Sequence, residues 1–474
     1  MAKRISPIIV IYLVVFFLFR SIFDVYFTGD DFFHFTVAKT DGSIWGFVKL
    51  FWFYPFEVRG IAFYRPIFRE LLYHVNYSFF GLNHLPFRIL QMLIHFVNIF
   101  LVFLLAERIF KERKISLFSA FFYGISAANV ATLYYIAGGV QAQGAAMFTL
   151  VSLILFMNGR KYLFFIPAVM ALMSHEMGIV VTPLLAGWAI IERKRLLRLL
   201  PLLVITFTYL LLNYFVIGFS DSEVQYQISF NLAKLFNTLG WYIAWGMGLP
   251  EMLVDFVGSG FSLDPRLMKY WGSSFRVIFP SFFVSVAIIL LSVINVILKK
   301  RLVLRDGRVW FLGLWFLVGL FPVAFLPWHK SSYYLATVLP ALWILIGYIV
   351  YNVGPRLLLI LAFSSLFLNV VSIELGTNTY PAAQRGRMAH KLINDFRHQY
   401  PNLPKGAVVY VINDPDYPFI SEDWHGSSYQ ASLILSGSDA FRLLYNDPSI
   451  EVLYQDFSKN LPESEYIKFV ARLE

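Results

Sequence analysis

Repeated apolar runs of about 20 residues constrain this chain more than any other feature, because each can cross a bilayer as a helix. The chain has 474 residues, of which 58% are hydrophobic and only 14% are charged. A soluble chain carries about 25% charged residues, so too little polar surface remains here to coat a globule. The sequence therefore predicts an α-helical polytopic membrane protein with about 11 transmembrane helices. Besides the run from Ile5 to about Phe23 and the run 162–191, apolar runs lie near 86–106, 115–133, 139–157, 199–218, 276–298, 309–326, 333–351 and 356–373.

Two of the apolar runs differ from a simple membrane span. The first, from Ile5 to about Phe23, has no small-residue cleavage site after it, so we expect an uncleaved span rather than a removed signal peptide. The run 162–191 is interrupted by the tripeptide Ser-His-Glu at 174–176. This interruption predicts two short helices that meet near one face of the membrane.

Basic residues cluster in short loops that fall on one side of the predicted spans. The formal charge of +10 is therefore a topology signal and not a sign of nucleic-acid binding. Lys3 and Arg4 lie on the same side, which the positive-inside rule places in the cytoplasm. The sequence thus predicts a multi-pass protein of the cell (plasma) membrane with a cytoplasmic N-terminus. The basic loops are 107–114, 158–161, 192–198 and 299–308.

The predicted domain organisation has two parts. Residues 1–373 form the transmembrane domain, which includes a long extracytoplasmic loop at 24–85. Residues 374–474 are polar enough for a small soluble α/β domain on the extracytoplasmic side. Within it, 382–399 has the pattern of a helix and 406–414 that of a buried strand. The chain has no cysteine, which excludes disulfides, thiolate metal sites and cysteine nucleophiles.

An acidic pair, Asp30 and Asp31, stands at the outer end of the first span in the sequence GDDFFH. The segments 43–56 and 65–80 of the same loop have the pattern of helices that lie in the membrane interface and roof a cavity. A carboxylate beside such a cavity is a candidate general base. A second carboxylate next to it raises the proton affinity of the pair. The alternative is that the two aspartates only mark the end of the helix in water.

The same stretch contains candidate metal ligands. Asp30 and His34 are four residues apart, so they share a face if the stretch is helical. Oxygen and imidazole together suit a divalent ion. Only three candidate ligands are local, so the sequence assigns no metal, and His34 is expected to pack or hydrogen-bond at the site.

Six further polar residues are expected on the extracytoplasmic face as substrate contacts. An ammonium or guanidinium group there would stabilise a leaving phosphate. The alternatives are a snorkelling Lys330, arginines that lie along lipid headgroups, and a Glu176 that caps the following half-helix. The six residues are Arg65, Arg69, His175, Glu176, His329 and Lys330.

Together these features resemble the polytopic GT-C glycosyltransferases, which include the protein O-mannosyltransferases and the lipid A aminoarabinose transferases. In that superfamily an Asp-acidic pair follows the first span and a long loop with interfacial helices comes next. Three stretches carry the resemblance beyond Asp30 and Asp31. The pattern departs from the family at His34, His175 and Lys330. The stretches are 64–110, which begins YRPIFRELLYHVN, then ALMSHEMGIVVTP at 171–183 and HKSSYYLATVLP from 329.

The resemblance implies a specific reaction. A sugar would move from a polyprenyl-phosphate donor to an acceptor hydroxyl on the extracytoplasmic side, with Asp30 as the base, usually with inversion. The partners would be the lipid-linked donor, membrane lipids and an acceptor glycan, lipid or protein, with no nucleic acid. No cofactor is expected, although some members of the superfamily need a divalent metal.

Two other classes of function stay open from the sequence. A transporter or flippase would show inverted repeats and ionisable residues at mid-membrane, whereas the breaks here lie near one face. A non-catalytic membrane binding protein would tolerate the loss of the Asp pair, which this sequence retains.

Overall fold

Long apolar helices make up most of the molecule, in agreement with the predicted polytopic helical fold. The computed structural model describes residues 2–160, 162–218, 224–258, 260, 262–299, 303, 305–418, 425–458 and 465–473. Among these residues, seven helices are long and apolar enough to cross a membrane, and two shorter apolar helices cover Glu176–Ile191 and Leu339–Val353. The seven are Pro7–Asp24, Leu85–Phe110, Ile136–Met157, Leu196–Ile217, Pro265–Lys299, Gly307–Ala324 and Pro355–Thr379.

The first span and the loop after it contain five helices. The segments predicted as helical at 43–56 and 65–80 form short helices with breaks between them. The helices are α1 (Ala2–Phe19), α2 (Gly29–Val37), α3 (Ile44–Lys49), α4 (Phe56–Arg59) and α5 (Leu72–Phe80), with a π-helical turn at Ile67–Leu71 before α5.

The remaining helices of the apolar part follow in chain order. The predicted span at 115–133 is split into α7 and α8, and the predicted break in 162–191 is observed between α10 and α11. The helices are α6 (Leu85–Phe110), α7 (Arg113–Gly124), α8 (Asn129–Tyr134), α9 (Ile136–Met157), α10 (Phe165–Leu172), α11 (Val181–Ile191), α12 (Leu200–Leu212), α13 (Leu232–Gly246), α14 (Pro265–Lys299), α15 (Gly307–Ala324), α16 (Leu339–Val353) and α17 (Pro355–Thr379).

The basic loops lie together at one end of the bundle. The Arg108 guanidinium donates to the Met157 carbonyl at 2.9 Å, and Arg308 donates to the Ile109 carbonyl at 2.8 Å. Lys194 donates to the carbonyl at position 156, 3.3 Å away. These bonds join the loops 107–114, 158–161, 192–198 and 299–308, although residues 161, 300–302 and 304 lie outside the described residues.

The C-terminal residues form a small α/β unit with a parallel sheet of three strands in the order β2-β1-β3. The predicted helix and strand are observed at Pro381–Gln399 and Val408–Asn413. One hydrophobic core continues from this sheet into α2, α5 and the N-terminal halves of α6 and α9. The elements are α18 (Pro381–Gln399), β1 (Val408–Asn413), α19 (Ser427–Leu435), α20 (Asp439–Tyr445), β2 (Glu451–Tyr454) and β3 (Ile467–Ala471).

Arg88, fully buried in the first turn of α6, joins the segment after the first span to the last turn of α8. Its Nε donates to the Val25 carbonyl at 3.0 Å, and one Nη donates to Leu133 at 3.0 Å and to Gln91 at 3.1 Å. The other Nη donates to the Tyr26 carbonyl at 3.3 Å. A guanidinium can make these bonds at once because its donors form a fixed fork.

We expect Arg88→Lys to lower the free energy of unfolding by roughly 2–4 kcal/mol, because a single ammonium cannot satisfy carbonyls on two separate segments. The unfolding midpoint in detergent measures this loss. Arg276→Lys is the control, since exposed Arg276 makes one 3.3 Å bond to its own helix. Equal midpoints for the two variants would contradict the role given to Arg88.

Candidate active site

A cavity of about 410 Å³ lies at the end of the bundle away from the basic loops. Residues from the first loop, from the start of α9 and from the segment before α16 line it. It brings together five of the nine residues singled out from the sequence, which are Asp30, His34, Arg65, Arg69 and His329.

Asp30 is the exposed carboxylate of the acidic pair. It lies in the first turn of α2 and lines the cavity. The Tyr135 hydroxyl, immediately before α9, donates a 2.6 Å hydrogen bond to its Oδ2. This bond fixes one carboxylate oxygen and leaves the other able to accept a proton from a bound molecule.

Asp31 has a different environment, because successive residues of a helix point about 100° apart. It is buried, accepts a 2.8 Å bond from the Thr28 amide in a capping box, and accepts a 2.5 Å bond from the Tyr73 hydroxyl. Burial raises the pKa of Asp31 to about 6, although the bonds from Tyr73 and Thr28 oppose the rise. Asp31 does not line the cavity, so its contacts support the start of α2.

His34 lines the cavity one turn after Asp30. Burial lowers its pKa well below the ordinary value, and the positive charges of Arg69 and Arg65 lower it further. A neutral imidazole is a metal ligand, but the same two guanidinium groups line this cavity and oppose a divalent cation. Among the described residues, no group of three or more His, Asp or Glu side chains is placed to hold a metal.

Arg65 and Glu176 form a bidentate ion pair in which Nε and Nη2 each donate at 2.8 Å. Arg65 also donates to the Gln141 side chain of α9 at 2.6 Å. His175 is buried, and its Nδ1 accepts from the Met177 amide at 3.2 Å. The break in the predicted span at 162–191 thus makes two contacts. His175 caps the helical turn that begins the second half of the span, and Glu176 holds Arg65.

Arg69 is engaged in holding the first loop. It donates to Glu70 at 2.7 Å, to the Phe63 carbonyl at 2.9 Å and to the Ala62 carbonyl at 3.2 Å. Its guanidinium contributes positive charge to the cavity wall while these bonds fix its position.

His329 and Lys330, although adjacent, line different cavities. The His329 ring lies 4.7 Å from the Tyr226 ring in the cavity of Asp30. Lys330 lines a separate cavity of about 180 Å³ with Glu251 and Asp255, and its Nζ donates to Asn237 at 3.0 Å. The sequence predicts Lys330 at the same site as Asp30, but the structure places them in different cavities, because the side chains of His329 and Lys330 diverge at the end of a turn.

The sequence analysis did not predict several polar residues that lie at the two cavities. Tyr135 binds Asp30, Gln141 binds Arg65, and Glu251 accepts from Ser332 at 2.9 Å beside the second cavity. Polar side chains at the start of an apolar run, such as Gln141, are a usable signal, because a polar group at membrane depth requires a partner.

Comparison with known proteins gives matches among solved structures alone. No protein-family model matches the chain, and no curated protein matches it in sequence. The oligosaccharyltransferase from Archaeoglobus fulgidus, in its complex with Zn and sulfate, is 14% identical over 94% of this chain with a TM-score of 0.48. The oligosaccharyltransferase AglB from the same organism, in complex with an inhibitory peptide and a dolichol-phosphate, is 14% identical over 86% with a TM-score of 0.46.

The chain covers 62% of the length of the oligosaccharyltransferase chains that it matches.

The buried Asp31 predicts a pH-dependent stability. Its folded-state pKa is raised from 3.8 to about 6, so its contribution to stability is fully present below pH 3.8 and is lost as the pH rises through about 6. Between pH 4.5 and 7.5 we expect the wild type to lose about 2 kcal/mol relative to Asp31→Asn. Unfolding midpoints of both proteins at the two pH values test this.

Exposed Asp24 supplies the control for that comparison. Asp24→Asn should follow the pH trend of the wild type. An Asp31→Asn protein with that same trend would show that Asp31 is not the group responsible.

Proposed function

We propose that this protein is a membrane glycosyltransferase that moves a sugar from a polyprenyl-phosphate donor to an acceptor hydroxyl. Asp30 removes the proton of the hydroxyl, whose oxygen forms a bond to the anomeric carbon of the sugar. The bond from that carbon to the phosphate oxygen breaks, and the polyprenyl phosphate leaves with the electron pair. Attack from the side opposite to the phosphate inverts the configuration of that carbon.

One observation carries this proposal. Asp30 presents a carboxylate to a cavity of about 410 Å³, and the Tyr135 hydroxyl donates a hydrogen bond to one of its oxygens. Its neighbour Asp31 is withdrawn into a capping box. A general base needs a free oxygen within hydrogen-bond reach of its substrate, and of the two aspartates Asp30 has this arrangement.

The guanidinium groups of the cavity supply the charge that a leaving phosphate requires. Arg65 and Arg69 both line the wall, and their contacts with Glu176 and Glu70 fix their orientation. Positioned cations stabilise the charge that develops as the phosphate departs. The sequence gives this role to Lys330 as well as to Arg65 and Arg69, and of the three Lys330 lines the neighbouring cavity instead.

The same proposal assigns a sidedness to the molecule. The basic loops are joined by the bonds of Arg108 and Arg308, and the positive-inside rule places them in the cytoplasm. The cavity of Asp30 and the C-terminal α/β unit then face the extracytoplasmic side, where the lipid-linked donor is presented.

The first test is transfer from a labelled panel of polyprenyl-phosphate hexoses and pentoses to membrane acceptors. We expect Asp30→Asn to lower kcat at least a hundredfold, because the amide keeps the shape of the side chain and removes the base. Asp24→Asn, an exposed aspartate six residues earlier, should transfer at the wild-type rate.

The outcomes of this test separate the candidate functions. Undiminished transfer by Asp30→Asn would contradict the role of Asp30. Uptake of lipid-linked sugar into vesicles without transfer by the wild type would favour the transporter instead. Binding without either would favour a non-catalytic membrane protein.

A second variant tests the phosphate contact. Arg65→Lys keeps the positive charge but loses the planar fork that pairs with Glu176. We expect the KM for the donor to rise about tenfold, with a smaller fall in kcat. Steady-state kinetics over a range of donor concentrations measures both, with Arg276→Lys as the control. An unchanged KM would remove Arg65 from donor binding.

A further inference from the structure

The C-terminal α/β unit contacts α2 beside Asp30 through the backbone. A Cβ atom added at Gly29 would lie 2.1 Å from the carbonyl oxygen of Leu433 and 3.7 Å from that of Ile434. Both carbonyls belong to the last turn of α19, where they have no helical partner. The close approach therefore requires glycine at the residue immediately before Asp30.

A second contact lies at the other end of α2. Helix α20 packs against α2, and the positive charge of Lys39, just after α2, attracts the Asp439 carboxylate at the start of α20. The Ser436 hydroxyl donates to the same carboxylate at 2.9 Å. The C-terminal unit thus holds α2 near both ends.

Apolar packing joins the two contacts. Phe32 and Phe35 on the buried side of α2 belong to the same hydrophobic core as Ile434, Leu435 and Phe441 of the C-terminal unit. Burying side chains of this size stabilises a contact because it removes apolar surface from water. The contact is therefore a part of the folded core and not a loose association.

We infer that the C-terminal unit is a clamp that sets the position of Asp30, with Gly29 as the positioning residue. This inference rests on the proposed function, in which Asp30 is the base. A methyl group at position 29 must push α2 away from α19, which moves Asp30 relative to the Tyr135 hydroxyl and the cavity. A displacement of about 1 Å costs a catalytic group up to about a hundredfold in rate.

Gly29→Ala tests the clamp through the division between kcat and KM. We expect kcat to fall about 10- to 100-fold while the KM for the donor stays within about twofold, because Arg65 and Arg69 lie on other segments. Gly240→Ala is the control, since a Cβ at that helical glycine meets nothing within 4 Å. A kcat for Gly29→Ala equal to that of Gly240→Ala would overturn the inference.

Hydrogen exchange supplies a readout that does not depend on activity. Amides of 29–37 should exchange at least tenfold faster in Gly29→Ala than in Gly240→Ala, while those of α9 stay the same. If the wild type transfers no sugar, the proposed function fails, and this measurement still decides the contact. Unchanged protection of 29–37 would overturn it.

A cysteine pair covers the case in which Gly29→Ala does not fold. The chain has no native cysteine, so Thr36→Cys with Asp439→Cys gives one unambiguous crosslink between α2 and α20. We expect the oxidised protein to keep the turnover of the reduced protein. Loss of turnover on oxidation, restored by reduction, would show that the contact must open and would overturn the clamp.

Discussion

The position of Asp30 beside Tyr135 depends on one buried guanidinium group, that of Arg88. Arg88 binds the carbonyls of Val25 and Tyr26, after the first span, and that of Leu133, before α9. Those two segments lead directly into α2 and into Tyr135. Buried backbone carbonyls need hydrogen-bond partners, so Arg88 allows the segment after the first span and the end of α8 to meet. The hydrogen bond between Tyr135 and Asp30 follows from this meeting.

The polar face of α6 extends the same principle. Gln91 donates to the Thr132 carbonyl at 2.6 Å, and the His95 Nε2 donates to the Gly124 carbonyl at 3.0 Å. Both carbonyls lie near the ends of short helices in the predicted span at 115–133. An uninterrupted helix would have satisfied these groups internally, whereas the broken one needs side chains from α6. Because of these breaks, α8 ends close to the first loop, and Tyr135, just after α8, lines the cavity together with residues of that loop.

The cavity also depends on chain segments that are far apart in the sequence. Asp30 and Arg65 come from separate parts of the first loop, and His329 comes from the segment before α16. Glu176, which holds Arg65, comes from a broken span. The C-terminal unit completes the arrangement through its shared core with α2. Glycine at position 29 has no side chain to clash with α19, so this packing is possible. The Asp30 carboxylate is then oriented by the C-terminal unit on one side and by Tyr135 on the other.

The sequence by itself determined the class of fold and the place of the acidic pair, because hydropathy, periodicity and loop charge are local properties. It also located the break at 174–176. Only the tertiary structure decided that Asp30 faces the cavity and Asp31 does not, since the choice rests on Tyr135 and Tyr73, which are distant in the chain. The separation of Lys330 from the cavity was likewise hidden, because adjacent side chains diverge and their partners come from other helices. Local patterns state which groups are present, while long-range packing decides where each one points.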